Sequence, residues 1–414
     1  MRPNWFDRIA RDGLIRQLAQ IQDGRLTLED PHFGPAAEVV FGESSPDLGT
    51  RVVVRNPRFY RALALRGAIG GAESYMDGDW WTNDLAEVTR LLARNASVVE
   101  GFNGGAARAA RLGFRMYHWL HRNTREGSRR NIASHYDLGD DFYSTFLDPT
   151  MTYSAGIFEH EDTSMEEASL TKYERLCQKL DLQPEDHLLE IGTGWGGFAI
   201  YAAQTRGCKV TTTTISRNQY EIAQKRIAEA GLSERISMRM NDYRDLSGTF
   251  DKLASIEMIE AVGAEHLAAF FRVCHERLKP DGVMALQAIT IPDRDFDAHC
   301  DTVDFIKRYI FPGGNLVSLG ALGAAAAESG DLRVTHIEDL APHYAETLRR
   351  WRQRFLENLP EIQSLGFDET FQRMWEFYLC YCEGGFDERQ IGVAQVVLEK
   401  SRTRRPPLLG ALSP

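Results

Sequence analysis

Apolar positions in the middle of the chain change period repeatedly, and the changes predict alternating strands and helices. The apolar run His187-Leu188-Leu189-Glu190-Ile191 reads as a strand and ends in the glycine-rich turn Gly192-Thr193-Gly194-Trp195-Gly196-Gly197. Phe198 to Ala203 then takes up a helical period, giving a β-turn-α unit. Downstream the pattern predicts strands over Cys208–Thr214, Ile236–Arg239, Lys252–Ile256 and Gly282–Ile289, and helices over Gln219–Ala230 and His266–Leu278. Strands alternating with helices of about ten residues indicate a parallel, doubly wound α/β sheet. Residues 1 to 100 read as a smaller α+β module. Arg25–Glu29, Ala37–Gly42 and Gly49–Val54 have the β-branched content of short strands, while Phe59–Arg66 and Asp84–Leu92 are helical in period. Tyr75 to Trp81 is an aromatic turn, expected to serve packing, with an acyl-chain groove as the alternative.

Composition changes this picture little. At 414 residues, 43% hydrophobic and 26% charged, the chain is sized for two or three globular domains and is neither fibrous nor mainly disordered. No apolar run reaches the ~18 residues of a spanning helix, and the N-terminus lacks a secretory core. Six Cys without a C-x-x-C pair favour neither disulfides nor a metal site, and a cytoplasmic location is expected. A net charge of −11 argues against nucleic acid as a partner.

The charge is unevenly spread. Residues 108 to 130 hold seven Arg against one acid, Glu126, a local +6. On a helix, Arg108, Arg111, Arg115 and Arg122 fall within about 60° of one another, beside Leu112, Met116, Trp119 and Leu120. A basic, aromatic-bearing amphipathic helix suits a membrane interface, and Arg125 extends the patch. A linker helix docked on its own protein is the competing reading. Glycines at 101, 104, 105 and 127 mark joints on either side. The organisation expected is therefore an N-terminal domain over 1–100, a basic linker over 101–130, a catalytic domain over 131–400 and a flexible tail over 401–414.

The glycine turn carries the chemistry. Ligands of doubly wound sheets bind beyond the carboxyl ends of the strands. A dinucleotide is one candidate. However, Glu190 stands two residues before Gly192, where an acid suits the sulfonium and amino group of S-adenosylmethionine better than a pyrophosphate. Thr211 to Ser216 offers no acid for the ribose hydroxyls, so Gln219 is expected to serve there. Asp242 supplies a carboxylate for the adenine amino group, and Tyr243 a ring to cover the base.

Six ordered stretches extend this reading: His135–Gly139, Met151-Thr152-Tyr153-Ser154, Leu189–Gly197, Thr214-Ile215-Ser216-Arg217-Asn218-Gln219, Glu257–Gly263 and Lys307–Gly314. Together they resemble the cyclopropane-fatty-acyl-phospholipid synthases and the related mycolic-acid-modifying methyltransferases. The resemblance implies a Rossmann-like class I methyltransferase sheet with added helices, preceded by a small α+β domain. It also implies transfer of a methyl(ene) carbon to the cis double bond of a phospholipid acyl chain through a carbocation, giving a cyclopropane. Tyr153, Ser154, Gly192, Thr193, Gly194, Thr214 and Ile215 are then cofactor contacts. The family's base is a bicarbonate, and the resemblance places its ligands at Glu260, Tyr344, Gln287 and the backbone of Ile289. Two positions depart: Ala155 stands for the family's Cys and Gln287 for its His. The departure leaves open a methyl- or methylene-branched product. A methyltransferase for a soluble molecule and an inactive lipid-binding protein are the other classes to separate. A homodimer associated peripherally with the inner face of the membrane completes what the resemblance implies. The C-terminal aromatics, with Trp375, Tyr378 and Cys382 at helical spacing, are expected to be core, and the resemblance implies that these helices also line the acyl tunnel.

Overall fold

The computed structural model describes residues 3–34, 38–43, 47–102, 104, 127, 138–405 and 408. Arg108, Arg111, Arg115, Arg122 and Arg125 and the His135–Asp137 turn lie outside the described residues. The chain divides into two compact units: Met1–Leu120 with Asp301–Pro312 and Leu348–Gln390, and His121–Cys300 with Gly313–Thr347 and Ile391–Pro414.

The first unit contains a four-stranded sheet of β1 (Arg25–Glu29), β2 (Glu38–Gly42), β3 (Gly49–Val54) and β4 (Trp80–Thr82), in the order β2-β1-β3-β4. Alternation decides which face is buried: Leu26, Leu28, Val52 and Val54 point into the core, while Arg25 and Arg51 are exposed. Helix Trp5–Leu18 is started by a capping box between Asn4 and Asp7, and helix Leu85–Arg94 by the Asp84 side chain. Tyr75 and Trp80 are buried 4.9 Å apart, so most of the aromatic turn is packing.

Helix Glu369–Asp387 belongs to this unit and not to the catalytic one. Thr89 Oγ1 donates to the Cys380 carbonyl (2.7 Å), Tyr75 donates to Glu376 (2.8 Å), and Phe377 lies 4.7 Å from Phe305. Gly384 permits the approach, since a Cβ there would meet Thr89 Oγ1 at 2.5 Å. Residues 348–390, inside the span read as one catalytic domain, thus complete the core of the N-terminal module. Trp375 and Tyr378, 5.2 Å apart, are buried in that packing.

The second unit is built on β5 (His187–Ile191), β6 (Lys209–Thr213), β7 (Ile236–Arg239), β8 (Phe250–Ile256), β9 (Leu278–Thr290), β10 (Arg333–Asp339) and β11 (Gly392–Glu399). Their order is β10-β11-β9-β8-β5-β6-β7. The five strands β5 to β9 run parallel, and β11 and β10 add an antiparallel edge. The parallel strands are buried on both faces, as Leu188, Leu189, Leu253 and Leu286 illustrate. The chain winds outward in both directions from β5, through β6 on one side and β8 on the other, which opens a crevice at the carboxyl end of β5. Among the described residues no helix is long and apolar enough to cross a membrane.

Candidate active site

The turn after β5 is shaped for a ligand. Gly192 has φ +100°, and the amides of Gly192 and Thr193 both donate to the Thr213 carbonyl, clamping the turn against β6. Gly197 opens helix Gly197–Arg206 where a Cβ would meet the Tyr173 hydroxyl at 2.5 Å, so only glycine lets the helix start this close. Gly194 faces open space. Glu190, 2% exposed, accepts from Thr212 Oγ1, and burial pushes its carboxyl up to about 8. Such a carboxylate is set to gain from a cationic ligand.

The remaining cofactor candidates partly assemble around this turn. Thr214 Oγ1 donates to Gln219 Oε1 (3.0 Å), and both are buried, with the half-buried Ile215 between them in sequence. Tyr153 packs 5.3 Å from Tyr143, which packs 5.0 Å from Trp195, giving an aromatic wall suited to a sulfonium. Asp140, which the sequence reading passed over, fixes that wall by accepting from Trp195 Nε1 (3.0 Å) and Asn218 Nδ2 (2.9 Å). Asp242 is tied to Arg244, whose Nε and Nη2 donate to its two oxygens at 2.8 Å, and Tyr243 sits edge-on to Phe270. An acid, a glycine turn, aromatic rings and a buried amide fit S-adenosylmethionine.

The catalytic candidates are arranged differently from the expectation. Glu260 does accept from the Ile289 amide (2.6 Å), but Tyr344 and Gln287 turn to Glu257 instead. Tyr344 Oη donates to Glu257 Oε2 (2.7 Å), and Gln287 Nε2 and the Ala155 amide donate to Glu257 Oε1 (2.7 and 2.9 Å). The donors expected to grip a bicarbonate are therefore engaged by a carboxylate of the protein itself, and a bicarbonate does not fit there. Gln287 is held in turn by Gln395, which donates to its Oε1 (2.9 Å), so its amide nitrogen is aimed at Glu257. Position 155 acts through its backbone, which is why an alanine suffices.

Glu257 was missed because it reads as an ordinary acid three residues before Glu260. Its backbone is not ordinary: φ is +47°, a left-handed conformation that disfavours any side chain, and its amide donates to the Gln287 carbonyl. Burial raises the carboxyls of both glutamates, and the neighbouring Glu257 helps push Glu260 to about 8. Glu260 Oε2 is shut from solvent with no partner among the described residues. The pair has room for one charge and one proton.

A Rossmann-like sheet with this turn and these acids defines an S-adenosylmethionine-dependent methyltransferase. Residues 123–396 match the family model described as mycolic acid cyclopropane synthetase. The chain belongs to this cyclopropane synthase family, whose members act on double bonds of lipid acyl chains. It is 38% identical over 375 residues to tuberculostearic acid methyltransferase UfaA1 of Mycobacterium tuberculosis, covering 86% of this chain and 84% of that one. It is 34% identical over 350 residues to cyclopropane-fatty-acyl-phospholipid synthase of Escherichia coli, covering 84% and 87%. Among solved structures it resembles mycolic acid cyclopropane synthase CmaA1 complexed with SAH and CTAB. That match has a TM-score of 0.62 at 33% identity, over 66% of this chain and 98% of that one.

Proposed function

We propose that the protein methylates the double bond of an unsaturated acyl chain in a membrane phospholipid, with Glu257 as its resident base, and that the product is branched. The convergence of Gln287, Tyr344 and the Ala155 amide on Glu257 carries this reading. When bound, S-adenosylmethionine supplies an electrophilic methyl group. The acyl double bond is a weak nucleophile, and its attack leaves a carbocation on the chain. Glu257, carrying the one charge of the pair, offers it to that cation, and water must be kept from the cation for it to escape trapping.

Loss of a proton from the new methyl group to Glu257 ends the reaction. If the C–H electron pair closes onto the first, secondary cation, the result is a ring. If a hydride shifts first to give the tertiary cation, the same pair forms an exocyclic double bond and a methylene branch. The three donors oppose the rise that burial gives the Glu257 carboxyl and so moderate it as a base, which favours the shift. The name of the 38% identical relative, a methyltransferase, points the same way. Ring closure is the second reading, favoured by the 34% identical synthase.

Incubation with labelled S-adenosylmethionine and vesicles of cis-monounsaturated phospholipid, followed by mass and NMR analysis of the methyl esters, separates them. Vinylidene or methyl-branch signals are expected. Cyclopropyl protons would establish ring closure, and label confined to a water-soluble acceptor would overturn both. The same reading has a homodimer meeting the cytoplasmic leaflet through Arg108, Arg111, Arg115, Arg122 and Arg125. Vesicle flotation and sedimentation test these two points.

A further inference from the structure

Lys172 stands outside every motif discussed so far. It lies in helix Met165–Leu180, beside the buried Ala168, Ser169 and Leu176, and its side chain is entirely buried. Burying an ammonium is among the most unfavourable substitutions a core can carry unless anions answer it. Here they do. Asp148 acts on it from the segment after helix Asp140–Ser144 and Glu257 from the turn after β8, and the Glu190 carboxyl, from β5, adds charge as it ionises. Tyr173 from its own helix lies under the ammonium, its ring centroid 4.6 Å away. Arg226, from helix Arg217–Glu229, acts on Asp148 and Tyr173. Glu260 and the Tyr344 hydroxyl complete the titratable groups around Glu257.

A hydrogen-bonded relay through adjacent residues also connects Lys172 to the reacting centre. Lys172 Nζ donates to Ser154 Oγ (2.6 Å), its one hydrogen bond among the described residues. The next residue, Ala155, donates its amide to Glu257 Oε1 (2.9 Å). A two-residue segment thus links the ammonium to the carboxylate, and a displacement of Lys172 moves one of the three donors that hold Glu257.

We infer that Lys172 is a positioning residue for proton transfer: its buried ammonium biases the Glu257–Glu260 pair so that Glu257 carries the charge and Glu260 the proton, while its bond to Ser154 seats the Ala155 amide on Glu257. This deepens the assignment of Glu257 as base and rests on it. Burial lowers the Lys172 ammonium to about 8, so the charge is present at neutral pH.

The test uses the full-length protein and three substitutions. K172M is expected to lower kcat by ~10-fold or more and to move the acidic limb of its pH profile upward by about one unit, with KM for lipid little changed. K172R is expected to return the limb toward wild type. S154A, which keeps the charge, should lower kcat without moving the limb. A limb in K172M at its wild-type position overturns the proposal.

A readout that needs neither turnover nor a folded K172M is the infrared difference between wild type and E257Q at neutral pH. Loss of an ionised carboxylate band is expected, and loss of a protonated carbonyl band overturns the inference. Because this measurement involves no lipid, its result is independent of whether the proposed acyl-chain methylation is correct.

Discussion

Glu257→Gly separates what position 257 does with its backbone from what it does with its carboxylate. The left-handed φ of +47° at a residue with a Cβ costs roughly 1–2 kcal/mol, which glycine relieves, less about 0.5–1 kcal/mol for the freer unfolded chain. Against that gain, Gln287 Nε2, the Ala155 amide and the Tyr344 hydroxyl lose their acceptor. Each donor left dry costs about 1–3 kcal/mol, but the vacated space is the size of a carboxylate and adjoins the site, so water or a small anion restores the bonds. Stability within about 2 kcal/mol of wild type is therefore expected by denaturant unfolding. Activity is expected to fall ~10²- to 10⁴-fold, the usual worth of a general base. Added formate or bicarbonate should fill the hole, meet the three donors and recover part of the rate in the labelled-vesicle assay. Glu257→Gln fills the same space with an amide and should not be rescued. Full activity of Glu257→Gly without added anion, or equal rescue of both variants, would refute the reasoning.

Three further outcomes are expected. Glu190→Gln should weaken S-adenosylhomocysteine binding ~10- to 100-fold by calorimetry, because the ligand's ammonium loses a charged partner; unchanged affinity would remove Glu190 from the cofactor site. Gly197→Ala should destabilise the protein by about 1–3 kcal/mol in urea titration, since the new methyl overlaps the Tyr173 hydroxyl; equal stability would mean that helix Gly197–Arg206 yields freely. The ligand-free protein should lose thermal stability between pH ~5 and 8. Glu190 and Glu260, raised to about 8 when folded and ordinary when unfolded, keep extra protons on the folded chain through that window. Above about 8 the carboxyls are ionised and the fall ends, while the lowered Lys172 ammonium works in the opposite sense. A melting temperature rising from pH 6 to 8 would contradict these assignments.

Sequence by itself determined the order and type of the five parallel strands of the methyltransferase sheet, though not its antiparallel edge of β10 and β11. The turn from Gly192 to Gly197 was legible because tight backbone geometry leaves glycine as its residue, and strands such as Arg25–Glu29 and Ile236–Arg239 because burial writes a local period. Glu190 was singled out by its place at a strand end, Gln219 by the lack of an acid before it, and Thr214 by the motif resemblance. Motif resemblance named Glu260, Gln287, Tyr344 and Ile289 as ligands of a bicarbonate and gave Glu257 no part. Only the tertiary structure assigned Gln287 and Tyr344 to Glu257, through bonds spanning 30 and 87 positions, with the Ala155 amide arriving from 102 positions away. It alone made Lys172 a buried charge, and it alone moved helix Glu369–Asp387 into the N-terminal core. The physical reason is common to all three. Period and turn chemistry act over a few residues and leave a local trace, whereas a buried charge or a shared hydrogen bond is set by groups from distant elements meeting where water is excluded.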